Sequence, residues 1–461
     1  MVRWEEVRID QPEDLIFGSA PQPLETKRGL VIGGGKVYPE LNFTLPSMSI
    51  NDDTWPEIVK QYREIIEDAL ERARRLHCEG LVVELETLPE MTRRPEWAGE
   101  IVSVLQEALN EAYDCGLPCA LRVTPNDNRE MRRPPRMRGG DLLQTTLETF
   151  DCAAELGADL LAVETTGGKE IHDGALTMAD LPQVIFALCV LGVRDMRFLW
   201  TRIVEIADSH EGVFAAGDTA CGFANTAMVL ANQGMIPRTF AAVVRTISAV
   251  RSLVAYECGA VGPGKDCGYE NVVLKALTGL PMAMEGKTAA CAHSSPLGNI
   301  AAAAADLWSN ESVQNIKLLG GYAPSISLEQ LIYDCRLMNA AIDESPEAAL
   351  SLQQWLVDSD CSLDPQALVL APHPAIAVAK LIAESENHYL AGRNVAAYTI
   401  QLLRDGIRDD LVEVPEREMR WLDMMQASVE DLPDEEDAFI DVILSQIDTS
   451  KIVLEDYDLC G

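Results

Sequence analysis

Apolar positions in this chain follow two alternating rhythms. Short apolar runs bounded by glycine, proline or charge read as buried strands, and stretches with apolar residues every three to four positions read as amphipathic helices. After an irregular lead-in over residues 1–28, GLVIGGGKVYPELNF (29–43) predicts a short strand and a Gly-rich turn. A long helix is expected over 55–77, with Ile58, Tyr62, Ile65, Ile66, Ala69 and Ala73 on one face. Further strands are expected at 81–85 (ending near Glu84 and Glu86), 118–123, 160–164, 198–201, 213–216, 253–256 and 281–284. Helical patterns fall between them, at 98–114, 140–156, 182–191, 202–209, 225–232, 236–251 and 271–278.

Strands alternating with helices at this spacing argue for βαβ units and a parallel sheet. About eight strands precede residue 285, the number a (β/α)8 TIM barrel requires. We therefore expect an α/β protein with a TIM-barrel catalytic domain over residues 29–335. An open doubly wound sheet would carry a G-x-G-x-x-G turn after its first strand, and Ile32-Gly33-Gly34-Gly35 does not match it. Beyond residue 335 the strand signals fade. Helical patterns at 337–356, 374–385, 394–405 and 416–426, flanked by acidic segments such as EDLPDEED (430–437), predict a C-terminal helical extension. It spans 336–461 and packs on the barrel or on a partner.

The totals narrow the function classes. Hydrophobic residues make up 48% of 461 positions, which suits a large buried core. No uncharged apolar run reaches the ~18 residues of a membrane span, and MVRWEEVRIDQPEDL lacks the apolar segment of a signal peptide. A cytoplasmic location, with no membrane partner, is the expectation. The net charge of −36 opposes binding to nucleic acid or to anionic lipid. One local basic segment, REMRRPPRMR (129–138), reads as a solvated loop or as a contact for an acidic partner. The twelve cysteines are scattered without a C-x-x-C pair, so most are small apolar fillers and a disulfide framework is not expected.

Three predicted strands end on a possible metal ligand. Leu160-Leu161-Ala162-Val163 runs into Glu164, Val213 to Ala216 leads to Cys221, and RSLVAYECGAVGPGKDCGYEN (251–271) carries Cys267 in a Gly-rich loop. In a barrel these strand ends share one face, where the active site lies. A Glu/Cys/Cys set gives zinc three protein ligands and leaves one position open, the catalytic arrangement. The bland alternative is three unrelated loop residues. Cys291 and His293, after the last predicted strand, are the rival source of ligands. Gly286-Lys287-Thr288 is no P-loop, because Pro281 stands where that motif needs glycine, and neither HExxH nor G-x-S-x-G occurs.

At these strand ends the chain closely resembles the zinc-containing subunit of methanol:corrinoid methyltransferases. The likeness runs from about residue 29 into the C-terminal region. It is strongest in GADLLAVETTGGKE (157–170), AAGDTACGFANTAM (215–228), ISAVRSLVAYECGAVGPGKDCGYENVV (247–273), GLPMAMEGKTAACAH (279–293) and WSNESV (308–313). The resemblance implies a TIM barrel with zinc on Glu164, Cys221 and Cys267. It also implies methanol as methyl donor, a cob(I)alamin acceptor carried by a partner corrinoid protein, and a homodimer within a larger complex. Asp218, Lys265, Asp266 and His293 are candidates, from position, for hydrogen-bonding or proton-transfer roles. One departure is Val123 in CALRV, where the family pattern leads us to expect histidine. The competing readings are a zinc hydrolase on a TIM barrel, a non-catalytic assembly partner, and the same methyl transfer from another small donor.

Overall fold

The apolar runs become strands and the periodic stretches become helices in the computed structural model, which describes residues 2–43, 48–287, 294–313 and 316–459. β1 (Ser19–Glu25) and β2 (Val31–Gly34) form an antiparallel pair. Among the described residues, seven of the further strands belong to the main sheet: β3 (Tyr38–Asn42), β4 (Leu81–Glu86), β5 (Cys119–Thr124), β6 (Leu160–Val163), β7 (Phe214–Asp218), β8 (Ala283–Glu285) and β9 (Leu307–Ser309), while Lys317–Leu318 and Gly321–Tyr322 form a separate antiparallel pair. The seven make one parallel sheet in the order β7-β6-β5-β4-β3-β9-β8.

Residues 261–266 close that sheet into a barrel. The amides of Val261 and Gly262 donate to Ala215 and Ala216 of β7 at 2.8 and 3.0 Å. On the other side, Gly264 donates to Pro281 at 3.2 Å, Ala283 to Gly264 at 3.3 Å, and Glu285 to Asp266 at 3.0 Å. The ring thus has eight parallel segments, the sixth irregular, as the expected TIM barrel requires. Glycine is needed at 264 because a Cβ there would lie 2.6 Å from the Tyr256 hydroxyl and 2.7 Å from the Met282 sulfur.

Several expected elements differ. Residues 253–256 are not a strand but the last turns of the helix Arg238–Cys258. That helix is buried on all sides, so its apolar residues show no helical stripe and mimic a buried strand. Residues 198–201 likewise lie inside the helix Val193–Ser209. The last barrel strand is β9 and not the 281–284 run. The lead-in is also not wholly irregular, because β1 lies within it.

Side chains alternate along the strands, so every second residue enters the barrel. At the bottom, Leu24, Leu30 and Ile32 of the β1–β2 hairpin pack against Val82, Ala120, Leu160, Ala283 and Leu307, sealing that mouth with an apolar plug. The next layer is charged. Arg122 Nε donates to Glu40 Oε1 at 2.6 Å and its Nη1 to the Pro263 carbonyl at 3.0 Å, all without solvent exposure. A plugged bottom leaves the C-terminal face as the open end.

Helices after Ala323–Glu344 wrap the barrel. His388–Arg408 packs along Arg238–Cys258, where Thr399 Oγ1 lies 2.9 Å from Thr246 Oγ1. Arg238–Cys258 is long and apolar enough to cross a membrane, yet the whole of that window is buried inside the fold. The basic segment 129–138 is largely solvated, as expected of a loop, with Arg132, Arg133 and Arg136 more than half exposed, but its charges are paired. Arg129 is buried between Asp127 and Asp195, Arg132 pairs with Asp141, and Arg133 pairs with Glu170. Arg136 and Arg138 pair with Asp456 and Asp458 near the chain's end, so much of its acidic partner is the protein's own tail.

Candidate metal centre

Glu164, Cys221 and Cys267 follow three neighbouring strand positions, and their ligand atoms lie within 4.8 Å of one another. The Cys267 sulfur is 2.8 Å from Glu164 Oε1. Two polar side chains steady the sulfurs. Thr219 Oγ1 lies 3.1 Å from Cys267 Sγ, and Asn225 Nδ2 lies 3.5 Å from Cys221 Sγ. Gly268 lets Thr219 approach, because a Cβ at 268 would sit 2.6 Å from the Thr219 methyl.

Behind the three residues, the helix Arg238–Cys258 supplies two buried arginines. Arg245 Nη2 donates to Asn225 Oδ1 at 2.7 Å, and Arg251 Nη1 donates to the Thr219 carbonyl at 3.1 Å. Arg251 also reaches the Thr165 carbonyl and its hydroxyl. The residue beside Glu164 and the turn before Cys221 are therefore tied to one guanidinium. Glu270 completes the frame by accepting from the Ala220 amide at 2.7 Å and from Ser252 Oγ at 3.0 Å.

The three ligands open onto a cavity of about 330 Å³ at the C-terminal face, also lined by Glu86, Lys169, Phe223, Lys265, Glu285 and Glu311. Burial pushes the Glu164 carboxyl up to about 7 against the pull of Lys265. Contact with Cys267 favours the Cys221 thiolate, but burial and the Glu164 charge push that thiol up to about 12. Burial also drives the Cys267 thiol well above its ordinary value. Three such groups packed together without a cation hold protons, and a divalent cation would replace them. Two sulfurs and one oxygen, with cavity on the fourth side, fit zinc with an open position.

The other expected residues are placed differently. Lys265 lines the cavity and pairs with Glu86 at 2.8 Å, Glu84 at 3.2 Å, Glu164 at 3.7 Å and the adjoining Asp266. Asp266 accepts from Ser309 Oγ at 2.6 Å and lies beneath the cavity. Asp218 does not line it either. It accepts from Trp200 Nε1 at 2.8 Å and from the Thr165 amide at 3.3 Å, and burial pushes its carboxyl up to about 6 despite Arg251. Its place is that of a brace for the Glu164 turn. Cys291 and His293 lie outside the described residues.

Glu285, Asn225, Glu270, Arg245 and Arg251 did not emerge as site residues from the sequence. Glu285 had the same signal as Glu164, a carboxylate closing an apolar run. The rest sit on helices or turns and had none.

A profile of the family described as "MtaB: Methanol-cobalamin methyltransferase B subunit" matches residues 1–458. The chain is 38% identical over 451 residues to the methanol–corrinoid protein co-methyltransferase of Methanosarcina barkeri (strain Fusaro / DSM 804), covering 96% of each. It also superposes on a chain of the crystal structure of the methanol:cobalamin methyltransferase complex MtaBC from Methanosarcina barkeri. The TM-score is 0.94 at 36% identity, covering 99% of this chain and 100% of that one.

Proposed function

The chain belongs to the family of methanol-cobalamin methyltransferase B subunits, and from that premise we propose that Glu164, Cys221 and Cys267 hold the zinc ion at which it activates methanol. The protein is a methyltransferase that moves the methyl group of methanol to a corrinoid. The corrinoid is carried by a partner protein. The observation that supports the zinc reading is the convergence of one carboxylate and two thiols from successive barrel strands on one cavity.

When bound, zinc supplies a Lewis acid that draws charge from the alcohol oxygen, which suits a poor leaving group such as hydroxide. The chain's own residues do the rest. Thr219 and Asn225 donate to the sulfurs and hold them in place. Lys265 offsets part of the negative charge of Glu164, Glu86 and Glu84. Phe223 walls the cavity with apolar surface. The plugged bottom leaves the C-terminal mouth as the side on which the partner's corrinoid would dock. The homodimer and the cytoplasmic location belong to the same proposal, and light scattering on the pure chain tests the first.

The experiment is methyl transfer in solution. Zinc-loaded protein, partner corrinoid protein reduced to Co(I), and methanol are mixed and followed in the visible spectrum. We expect methanol-dependent loss of Co(I) and growth of methyl-Co(III), abolished in Cys221→Ser and Cys267→Ser together with zinc content. Consumption of Co(I) by a different donor but not by methanol would overturn the substrate. The hydrolase alternative is not favoured, because the chain belongs to a methyltransferase family.

A further inference from the structure

Glu285 closes β8 and is only 6% exposed. Its backbone is fixed by a hydrogen bond from its amide to the Asp266 carbonyl at 3.0 Å. Its side chain lines the same cavity as Glu164, Cys221 and Cys267, and its Oε2 has no hydrogen-bond partner. A buried carboxylate oxygen without a donor is costly, whereas a neutral carboxyl is tolerated there and has a proton to give. The neighbouring charges act in that direction. Asp266 and Glu311 also oppose ionisation of Glu285 while Lys265 favours it, so burial, more than any other cause, holds the carboxyl above the ordinary range.

Two neighbouring acids of the cavity are engaged. Glu86 is paired with Lys265 at 2.8 Å, and Glu164 belongs to the ligand set. Lys265 is committed to Glu84, Glu86 and Asp266, which occupies its three donor hydrogens.

We propose that Glu285 is the proton donor to the oxygen that leaves the methyl carbon. This rests on the reading of the site as a methanol-activating centre. The C–O bond of methanol breaks and its electron pair stays with oxygen. The Glu285 proton passes to that oxygen, which departs as water. Co(I) supplies the electron pair of the new Co–C bond and becomes Co(III). Glu285 is left as a carboxylate and regains a proton from solvent through the cavity, so one proton is consumed per methyl transferred.

The test is Glu285→Gln, which keeps shape and polarity but has no acidic proton, with Glu285→Asp as the variant that keeps one. Zinc per chain, thermal midpoint, and kcat and KM for methanol are measured with the complete partner system in H2O and D2O. Infrared difference spectra on hydrogen–deuterium exchange follow the neutral carboxyl band. We expect unchanged zinc content and a kcat lowered by about 10²- to 10⁴-fold in Glu285→Gln, with KM little affected. The solvent isotope effect and the infrared band disappear with it, and Glu285→Asp recovers part of the rate. Wild-type kcat in Glu285→Gln, or loss of zinc in step with activity, overturns the donor role while leaving methyl transfer by this protein intact. Absence of methanol-dependent transfer in the wild type removes both.

Discussion

The side-chain amide of Asn225 donates to the backbone carbonyl of Cys267 at 2.9 Å, so the turn after β7 grips the segment that carries the next ligand. Asn225 is in turn oriented by Arg245, a residue without solvent exposure on the helix behind. Groups that orient ligands are typically worth about 10- to 100-fold in metal affinity. Asn225→Ala should therefore weaken zinc by that amount while leaving both sulfurs in place. Competition against a chromophoric chelator measures it, and wild-type affinity would show that Asn225 only shapes the turn.

Zinc retention should depend steeply on pH. Both thiols are held well above their ordinary range by burial and the Glu164 charge, and burial pushes Glu164 up to about 7. Binding the metal must then release about two protons above pH 7 and approach three below it. Apparent affinity should fall about a hundredfold per unit of acidification above neutrality and more steeply beneath it. Without metal the sign reverses for folding. A carboxylate raised from 4.5 to about 7 binds its proton more tightly in the native state, so the metal-free fold loses stability as pH rises through that window. Chelator titrations and unfolding curves across pH 5.5–8.5 check both signs.

What was legible in the sequence followed from residues that end an apolar run. Glu164 and Cys221 stand out because each follows a true strand, whereas Cys267 is singled out after a run, 253–256, that proves to be helical. The elements that failed did so for different physical reasons. Leu253 to Tyr256 belongs to a helix with no exposed face, and the true sixth strand is Val261 to Asp266, whose glycines and proline read as a loop. β9 is three residues long and left no periodic signal. Arg245 and Arg251 reach the site across long sequence separations, and nothing in local pattern links them to Asn225 or Thr165.

Away from the metal, the Lys275–Asp306 pair ties the helix Asn271–Thr278 to the start of β9 at 2.8 Å with neither side chain exposed. Lys275 also donates to the carbonyls of Ile16 and Ala304 at 2.8 Å each. Removing one partner leaves a buried charge without its counter-ion, a change that typically costs about 3–5 kcal/mol. Lys275→Met should lower the thermal midpoint accordingly, whereas zinc per folded chain stays at the wild-type value. Loss of zinc from the folded variant would show that this pair also sets the geometry of the centre.

Cys267 is placed by the path of residues 261–266, and that path passes close to Tyr256. At Gly264 an added methyl would meet the Tyr256 hydroxyl at 2.6 Å, the Met282 sulfur at 2.7 Å and Asn271 Nδ2 at 3.2 Å. Asn271 cannot yield cheaply, because it holds the Ala283 carbonyl at 3.0 Å and the Lys265 carbonyl at 2.6 Å. Tyr256 is buried, so its ring has little room to yield and the strand is the part expected to move. Overpacking of this kind costs about 1–3 kcal/mol. Its larger effect should be on the centre, because a shift of the strand carries Cys267 away from Glu164 and Cys221. Gly264→Ala should fold with a reduced midpoint and bind zinc at least tenfold more weakly. Adding Tyr256→Phe, which removes the nearest clashing atom, should recover part of the affinity. Full zinc binding in Gly264→Ala would show that the strand absorbs the methyl without moving its ligand.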